Sequence, residues 1–144
     1  MNIRPLEREH LLDIATRIQG AQTEMKAYID QPWYFDSLTK TGEAYSVLYD
    51  GKVVLCAGII PQWNGRYVAW ALFTKDVGLK MVSLVRAVRR FLDVKEVRRV
   101  EAYIDCTHLE GIRLAELLGF KFEGTLVKFT PDGRNNYMYA RTKD

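Results

Sequence analysis

The spacing of hydrophobic residues changes several times along this chain, and each change marks an element. Leu11, Ile14, Ala15 and Ile18 recur at helical spacing, which predicts a helix over 7–19 after a short strand in "NIRPLE". A second, weaker helical pattern covers 21–30. The aromatic stretch "QPWYFDSLTKTG" reads as a loop with a helical turn at 33–38, bounded by Pro32 and Gly42. Two apolar runs, "AYSVLYD" and "KVVLCAGII", then flank Asp50-Gly51, a pair that favours positive φ and so predicts a hairpin. "PQWNG" contains another turn, and "RYVAWALF" is expected to pair antiparallel with the strand before it. Met81, Leu84, Val85, Val88, Phe91 and Leu92 form one stripe of a helix over 77–93, with Arg86 and Arg90 off the stripe. "RRVEAYID" reads as a strand. Residues 109–118 read as a helix stopped by Gly119. "FKFEGTLVKF", the turn "PDGR" and "NNYMYAR" make a last hairpin.

The resulting order is β, α, α, three antiparallel strands, α, β, α, β, β. No repeat or linker interrupts it, so the expectation is one α+β domain over 1–144 built around a mixed sheet. Composition agrees: 144 residues that are 48% hydrophobic and 27% charged are enough for a sizeable core and too apolar for global disorder. No apolar run approaches the ~20 residues of a membrane span, and "MNIRPLEREHLL" lacks the layout of a signal peptide. Cys56 and Cys106 have no metal-ligand spacing and read as reduced thiols of a cytoplasmic protein. The net charge of +3 names no partner, but residues 75–100 carry +5 and the rest of the chain −2. That segment is either the solvated face of a helix or a place for a polyanion.

Candidate chemistry concentrates at two strand-to-helix junctions. The first is "TKDVGLK", residues 74–80. The opening amides of a helix lack internal partners and carry the positive end of its dipole, so an anion can rest on them. Gly78 allows close approach, and Lys75 and Lys80 add charge. Asp76 competes, because as an N-cap its carboxylate would take the same amides. The segment therefore reads as a capped helix start or an anion cradle. The second junction, "DCTHLEG" at 105–111, brings Asp105, Cys106 and His108 together. A Cys–His pair can make a thiolate nucleophile; the plainer reading is a helix entry with Thr107 or His108 near the cap. On the preceding strand Glu101 and Tyr103 share one face and Ala102 and Ile104 the other. Glu101 is either a general base or a solvated strand residue. Trp33, Tyr34, Phe35, Trp63, Tyr67 and Trp70 either line a pocket or pack in cores and hairpins. There is no Walker loop, dinucleotide fingerprint or paired His/Cys set, so no metal is expected.

Element order and two stretches together resemble the GNAT superfamily of acyl-CoA-dependent N-acyltransferases, over about residues 44–141. "THLEGIRLAELLGFKFEG" is similar to the family's closing motif, with Ile112, Arg113, Leu114, Leu118, Gly119 and Phe120 in matching places. "RYVAWALFTKDVGLKMVSLVRAV" stands where the family has its central strand, pyrophosphate loop and helix. More narrowly, "GIIPQWNGRYVAWALF", "LVRAVRRFLD" and "PDGR…YMYAR" resemble small GNAT-like proteins of tailed phages and prophages, some of them internal virion proteins.

The resemblance implies a three-layer GNAT-like fold, with helices on both faces of a mostly antiparallel sheet. That sheet would splay between the parallel strands "RYVAWALF" and "RRVEAYID". It implies acetyl-CoA as co-substrate, its pantetheine on backbone at Ala71, Leu72 and Phe73. The pyrophosphate would lie on Lys75, Val77, Gly78, Leu79 and Lys80. The acceptor would be a small-molecule or protein amine that attacks the thioester directly. Glu101 is then the first candidate for the base and His108 the alternative. The family's loop normally ends in a small residue where Lys80 stands, its asparagine is His108 here, and its proton-donating tyrosine is Ala115. Leaving-group protonation would fall to water, Tyr137, Tyr139 or Cys106. The two functional expectations are an N-acetyltransferase, and a non-catalytic phage protein that meets virion or host proteins on the same fold. The basic segment points only weakly to nucleic acid, since no recognised binding module accompanies it.

Overall fold

Asp50 and Gly51 both take positive φ, 51° and 75°, and so close the tight hairpin their sequence predicts. On either side lie β2 (Glu43–Tyr49) and β3 (Lys52–Trp63), paired antiparallel with Ser46 opposite Cys56. A second two-residue turn, Asn64-Gly65, leads into β4 (Arg66–Phe73). The computed structural model describes residues 1–143, apart from the side chain of Leu79. Its strands form one seven-stranded sheet in the order β1-β2-β3-β4-β5-β7-β6, where β1 is Asn2–Pro5, β5 Arg99–Asp105, β6 Lys121–Leu126 and β7 Asn136–Thr142. The sheet is mostly antiparallel with β4 and β5 as its parallel pair, which is the α+β class expected. No helix among the described residues is long and apolar enough to cross a membrane.

Contacts divide the chain into two compact units, Met1–Ile60 with Ala69–Met81, and Pro61–Val68 with Val82–Asp144. In the first unit, α1 (Arg8–Ala15), α2 (Lys26–Ile29) and α3 (Pro32–Thr39) surround one apolar cluster. Leu11, Ile14, Ile18, Ile29, Leu38, Val53, Cys56 and Leu72 are among its buried members. Asp13 near the end of α1 and Arg17 in the turn that follows it form an ion pair that also holds both backbone groups of Val53: Asp13 Oδ2 accepts its N–H and Arg17 donates to its carbonyl. The helical turn expected at 33–38 is a two-turn helix, Pro32–Thr39, because Pro32 stands at its first position, where a missing N–H costs nothing. The expected second helix divides into a 3-10 turn, Gly20–Met25, and the four residues of α2.

In the second unit, α4 (Met81–Val94) turns Leu84 and Leu92 inward with Val85, Val88 and Phe91 half-buried, the stripe its spacing predicts. Arg86, Arg89 and Arg90 lie exposed on the same helix. The cationic stretch is therefore largely a solvated helix face. α5 (Leu109–Leu117) ends as expected at Gly119, whose φ of 91° suits only a residue without a Cβ. The amides of Gly119 and Phe120 donate to the Glu116 and Ala115 carbonyls.

One close approach in the first unit fixes a residue type. A Cβ at Gly58 would lie 2.4 Å from the Glu43 carbonyl oxygen and 3.0 Å from both Ala44 Cα and Trp70 Nε1. Two of those atoms are backbone and cannot step aside. Gly58→Ala is expected to cost about 1–3 kcal/mol and to lower Tm by about 3–9 °C. Calorimetric melting checks this; an unchanged Tm would mean that β2 and β3 separate freely at this pair.

Candidate functional site

At the end of β4 the chain changes from strand to helix without a side-chain cap. Leu72, Phe73 and Thr74 are buried and Ala71 is exposed. The Thr74 N–H donates to the Val54 carbonyl of β3 at 3.0 Å. Backbone direction alternates along a strand, so Phe73 turns its own N–H and C=O away from β3. Both are occupied. Gln22 Nε2, from the 3-10 turn Gly20–Met25, donates to the Phe73 carbonyl at 2.9 Å, and the Phe73 N–H donates to Gln22 Oε1 at 2.9 Å.

Residues Lys75–Lys80 form a 3-10 turn with Thr74 as N-cap, and α4 begins only at Met81. The capped-helix expectation is corrected here. Asp76 lies inside the first turn rather than ahead of it, and no side chain caps the turn. Its carboxylate acts instead at longer range on Arg17. Lys80 places Nζ 5.1 Å from the centre of the Tyr49 ring, drawn off the loop by a cation–π contact. Gly78 is exposed, and a Cβ added there meets nothing within 4 Å. Lys75 is exposed and Val77 buried. Thr74 Oγ1 is buried with no hydrogen-bond partner, the orphan one expects where a ligand supplies the missing bond. The Leu79 side chain lies outside the described residues.

The proposed acid–base residues belong to the second unit. Glu101 is only 2% exposed, so it is not the solvated strand residue its alternation allows. Arg66 Nε and one of its terminal nitrogens donate to the carboxylate at 2.7–3.0 Å, and Arg99 Nε donates at 3.1 Å. Arg99 also pairs with Glu123, and Arg66 stacks 4.2 Å from the Trp63 ring centre. The Tyr103 hydroxyl lies 3.3 Å from Glu101 Oε1 as a donor. Hydrogen bonding from Arg66, then from Arg99, pulls the Glu101 carboxyl down to about 2 against the opposing effect of burial. A carboxylate held this way is a weak proton acceptor at neutral pH.

His108 is the N-cap residue of α5, with φ −90° and ψ 74°. Its ring lies against Gly111, where an added Cβ would meet Cδ2 at 2.4 Å. Burial lowers the imidazole below its usual 6.5, while the nearby Glu110 and Asp105 charges oppose the shift. The ring is therefore neutral at pH 7. Asp105 does not serve a Cys–His pair. Its carboxylate accepts from the Thr107 amide and hydroxyl at 2.9 and 2.6 Å and from Arg134 Nε at 2.9 Å. Burial by itself would raise this carboxyl, but those donors outweigh it and hold it below the usual range. Cys106 is half-buried, and its sulfur makes no hydrogen bond among the described residues. Tyr139 is buried against Phe122, Tyr137 is half-buried beside the same ring, and Ala115 is buried in α5.

Two residues of these sites escape a reading by motif. Gln22 has no signal, since a lone glutamine in a weak helical pattern names no partner. Arg66 has one: it opens β4 as Glu101 stands early in β5, and a parallel pairing brings strand starts together. Most of the aromatic set goes to packing, with Tyr34 and Phe35 in or against the first unit's core and Trp33 in edge contact with Tyr28 and Tyr34.

No protein-family model and no curated protein matches the sequence. Solved structures do match the fold along nearly the whole chain. An N-acetyltransferase from Staphylococcus aureus Mu50 superimposes with a TM-score of 0.70 at 17% identity, covering 98% of this chain and 97% of that one. An acetyltransferase of the GNAT family from Streptococcus pneumoniae gives 0.65 at 12% identity, with 99% of this chain and 99% of that one covered. A mutant of the spermidine N-acetyltransferase SpeG from Vibrio cholerae gives 0.66 at 13%, covering 99% and 95%. At these identities the likeness establishes the fold, which is that of the GNAT N-acetyltransferases.

The Glu101 cluster has a measurable signature. Its carboxyl titrates near 2 in the folded protein against 4.5 ordinarily. Its contribution to stability is thus complete above about pH 4.5 and is lost as pH falls through 2. Glu101→Gln is expected to cost about 3 kcal/mol at pH 7, the low end for a broken buried pair because both guanidiniums keep some water. It should also flatten stability against pH between those limits, as read by denaturant melts. An equally steep pH dependence in the variant would show that other carboxylates carry it.

Proposed function

We propose that the chain, residues 1–144 acting as one GNAT-like domain, is an N-acyltransferase that moves an acetyl group from acetyl-CoA to an amine. The observation that carries this reading is the uncapped turn after β4. Neither Asp76 nor Lys80 fills it, Gly78 leaves one side open, and the buried Thr74 hydroxyl lacks a partner. These features fit a pyrophosphate on the backbone of Lys75, Val77, Gly78, Leu79 and Lys80, with Lys75 adding charge. Acetyl-CoA would supply the acyl thioester, and its pantetheine arm would run along Ala71, Leu72 and Phe73.

The base role goes to His108 rather than Glu101. An imidazole that burial keeps neutral at pH 7 can take the amine proton there, whereas a carboxyl near 2 cannot do so efficiently. Glu101 instead fixes Arg66 and Arg99. Ala115 has no proton to give, so the leaving thiolate is protonated by water, Tyr137, Tyr139 or Cys106. The acceptor is a small or protein-borne amine, acetylated in the cytoplasm. One fold neighbour is by name a spermidine acetyltransferase, which supports a small amine. Ala115 is also the observation that favours the rival, a non-catalytic phage or prophage protein on this fold.

Calorimetric titration with acetyl-CoA separates the two. The wild type and Gly78→Ala should bind alike, since the added methyl meets nothing. Gly78→Trp should bind at least tenfold more weakly, because its indole fills the open side of the turn. No heat from the wild type at millimolar acetyl-CoA would leave only the rival; equal binding by Gly78→Trp would move the pyrophosphate elsewhere. His108→Ala should lower kcat by ~10²–10⁴ and abolish a pH limb that lies below 6.5 in the wild type. A kcat unchanged in that variant would remove His108 from the mechanism.

A further inference from the structure

The N–H and C=O of Phe73 form a backbone edge that is filled by the carboxamide of Gln22. A primary carboxamide offers one donor and one acceptor side by side, the same pair that one residue of an antiparallel neighbouring strand presents through its two flanking amides. Gln22 uses both on Phe73, each at 2.9 Å. It thereby satisfies a backbone edge that faces away from β3.

The segment that carries Gln22 is weakly held. Gly20–Met25 contains no fully buried residue and has no side-chain cap. The Thr23 hydroxyl returns to the Gly20 carbonyl, inside the turn. Gly20 sits at φ 64° with open space around its Cβ position, and the half-buried Met25 at the other end stays against the core. Little apolar burial would be lost if the turn swung outward between Gly20 and Met25. The buried Ile18 and Ile29 on either side would stay in place.

The geometry points to Gln22 as a built-in competitor for the two amides of the acyl-CoA arm: its carboxamide holds the Phe73 edge in the free protein and leaves when the ligand's own amides, one donating and one accepting, arrive. This rests on the acetyl-CoA reading above. The apparent affinity is then reduced by the fraction of molecules in which Gln22 is bound. Two neutral hydrogen bonds, each modest against water, make that roughly a tenfold competition.

The test compares wild type and Gln22→Ala in three measurements: acetyl-CoA affinity by calorimetry, melting temperature without ligand, and hydrogen exchange of the Phe73 amide. Gln22→Ala should bind acetyl-CoA about tenfold more tightly while its unliganded form melts lower and exchanges the Phe73 amide faster. In the wild type, acetyl-CoA should keep that amide protected and release the Gln22 side-chain NH2 resonances to solvent-like positions. Binding by the wild type with equal or weaker binding by Gln22→Ala would overturn the competition and leave the acetyl-CoA reading standing. Gln22 resonances that stay unchanged on saturation would do the same. No binding by either protein would overturn both.

Discussion

A strand that gives way to a helix leaves its last peptide groups to find partners one by one, and the region of interest depends on how that demand is met. Thr74 is met by β3, through the Val54 carbonyl. Phe73 faces the other way and is met by a side chain. A buried peptide group without partners is costly enough that a substitute is nearly always present. The substitute here is polar, half-buried and borne on a turn with no buried residue. The same solution appears at Val53, where Asp13 and Arg17 take the N–H and carbonyl of one residue. There the clamp is an ion pair at the end of a well-packed helix, Asp13 on it and Arg17 just after it. A charged clamp on a firm element suits permanent structure, and a neutral one on a loose turn suits an exchangeable contact.

The second unit organises its polar groups differently. Glu101 is removed from water and compensated by two guanidiniums, one of which also meets Glu123. That arrangement holds charge still rather than moving protons. Proton transfer needs a group whose two states are nearly balanced at working pH. Burial keeps the His108 ring neutral against the nearby Glu110 and Asp105 charges, so it can accept a proton. The two candidates thus differ in surroundings more than in residue type, and surroundings decide which one can act as a base.

Much of the fold was legible in the chain because local patterns and global packing agree. The apolar stripe of α4, the Asp50-Gly51 hairpin and the Gly119 stop each follow from one short-range rule. α3 is longer than the helical turn expected at 33–38 because Pro32, read as a boundary, stands at the helix's first position and belongs to it. The site was legible in location and not in state. "TKDVGLK" marks the loop, but whether Asp76 caps it depends on where the turn starts, and its N-cap is Thr74 and not Asp76, while whether Lys80 fills it depends on Tyr49, far away in sequence. Gln22 and Phe73 are 51 positions apart. Glu101 read as a free acid because alternation reports which face a residue occupies and not what waits there.

The two cysteines have unequal chemical fates. Cys56 is wholly buried beside Ser46, and burial raises its thiol to about 12, so almost none of it is thiolate at neutral pH. Cys106, at the end of β5 and two residues before His108, is half-exposed. An alkylating dye or spin label added to the folded protein would therefore mark one address without any engineered substitution, and that address lies beside the proposed base.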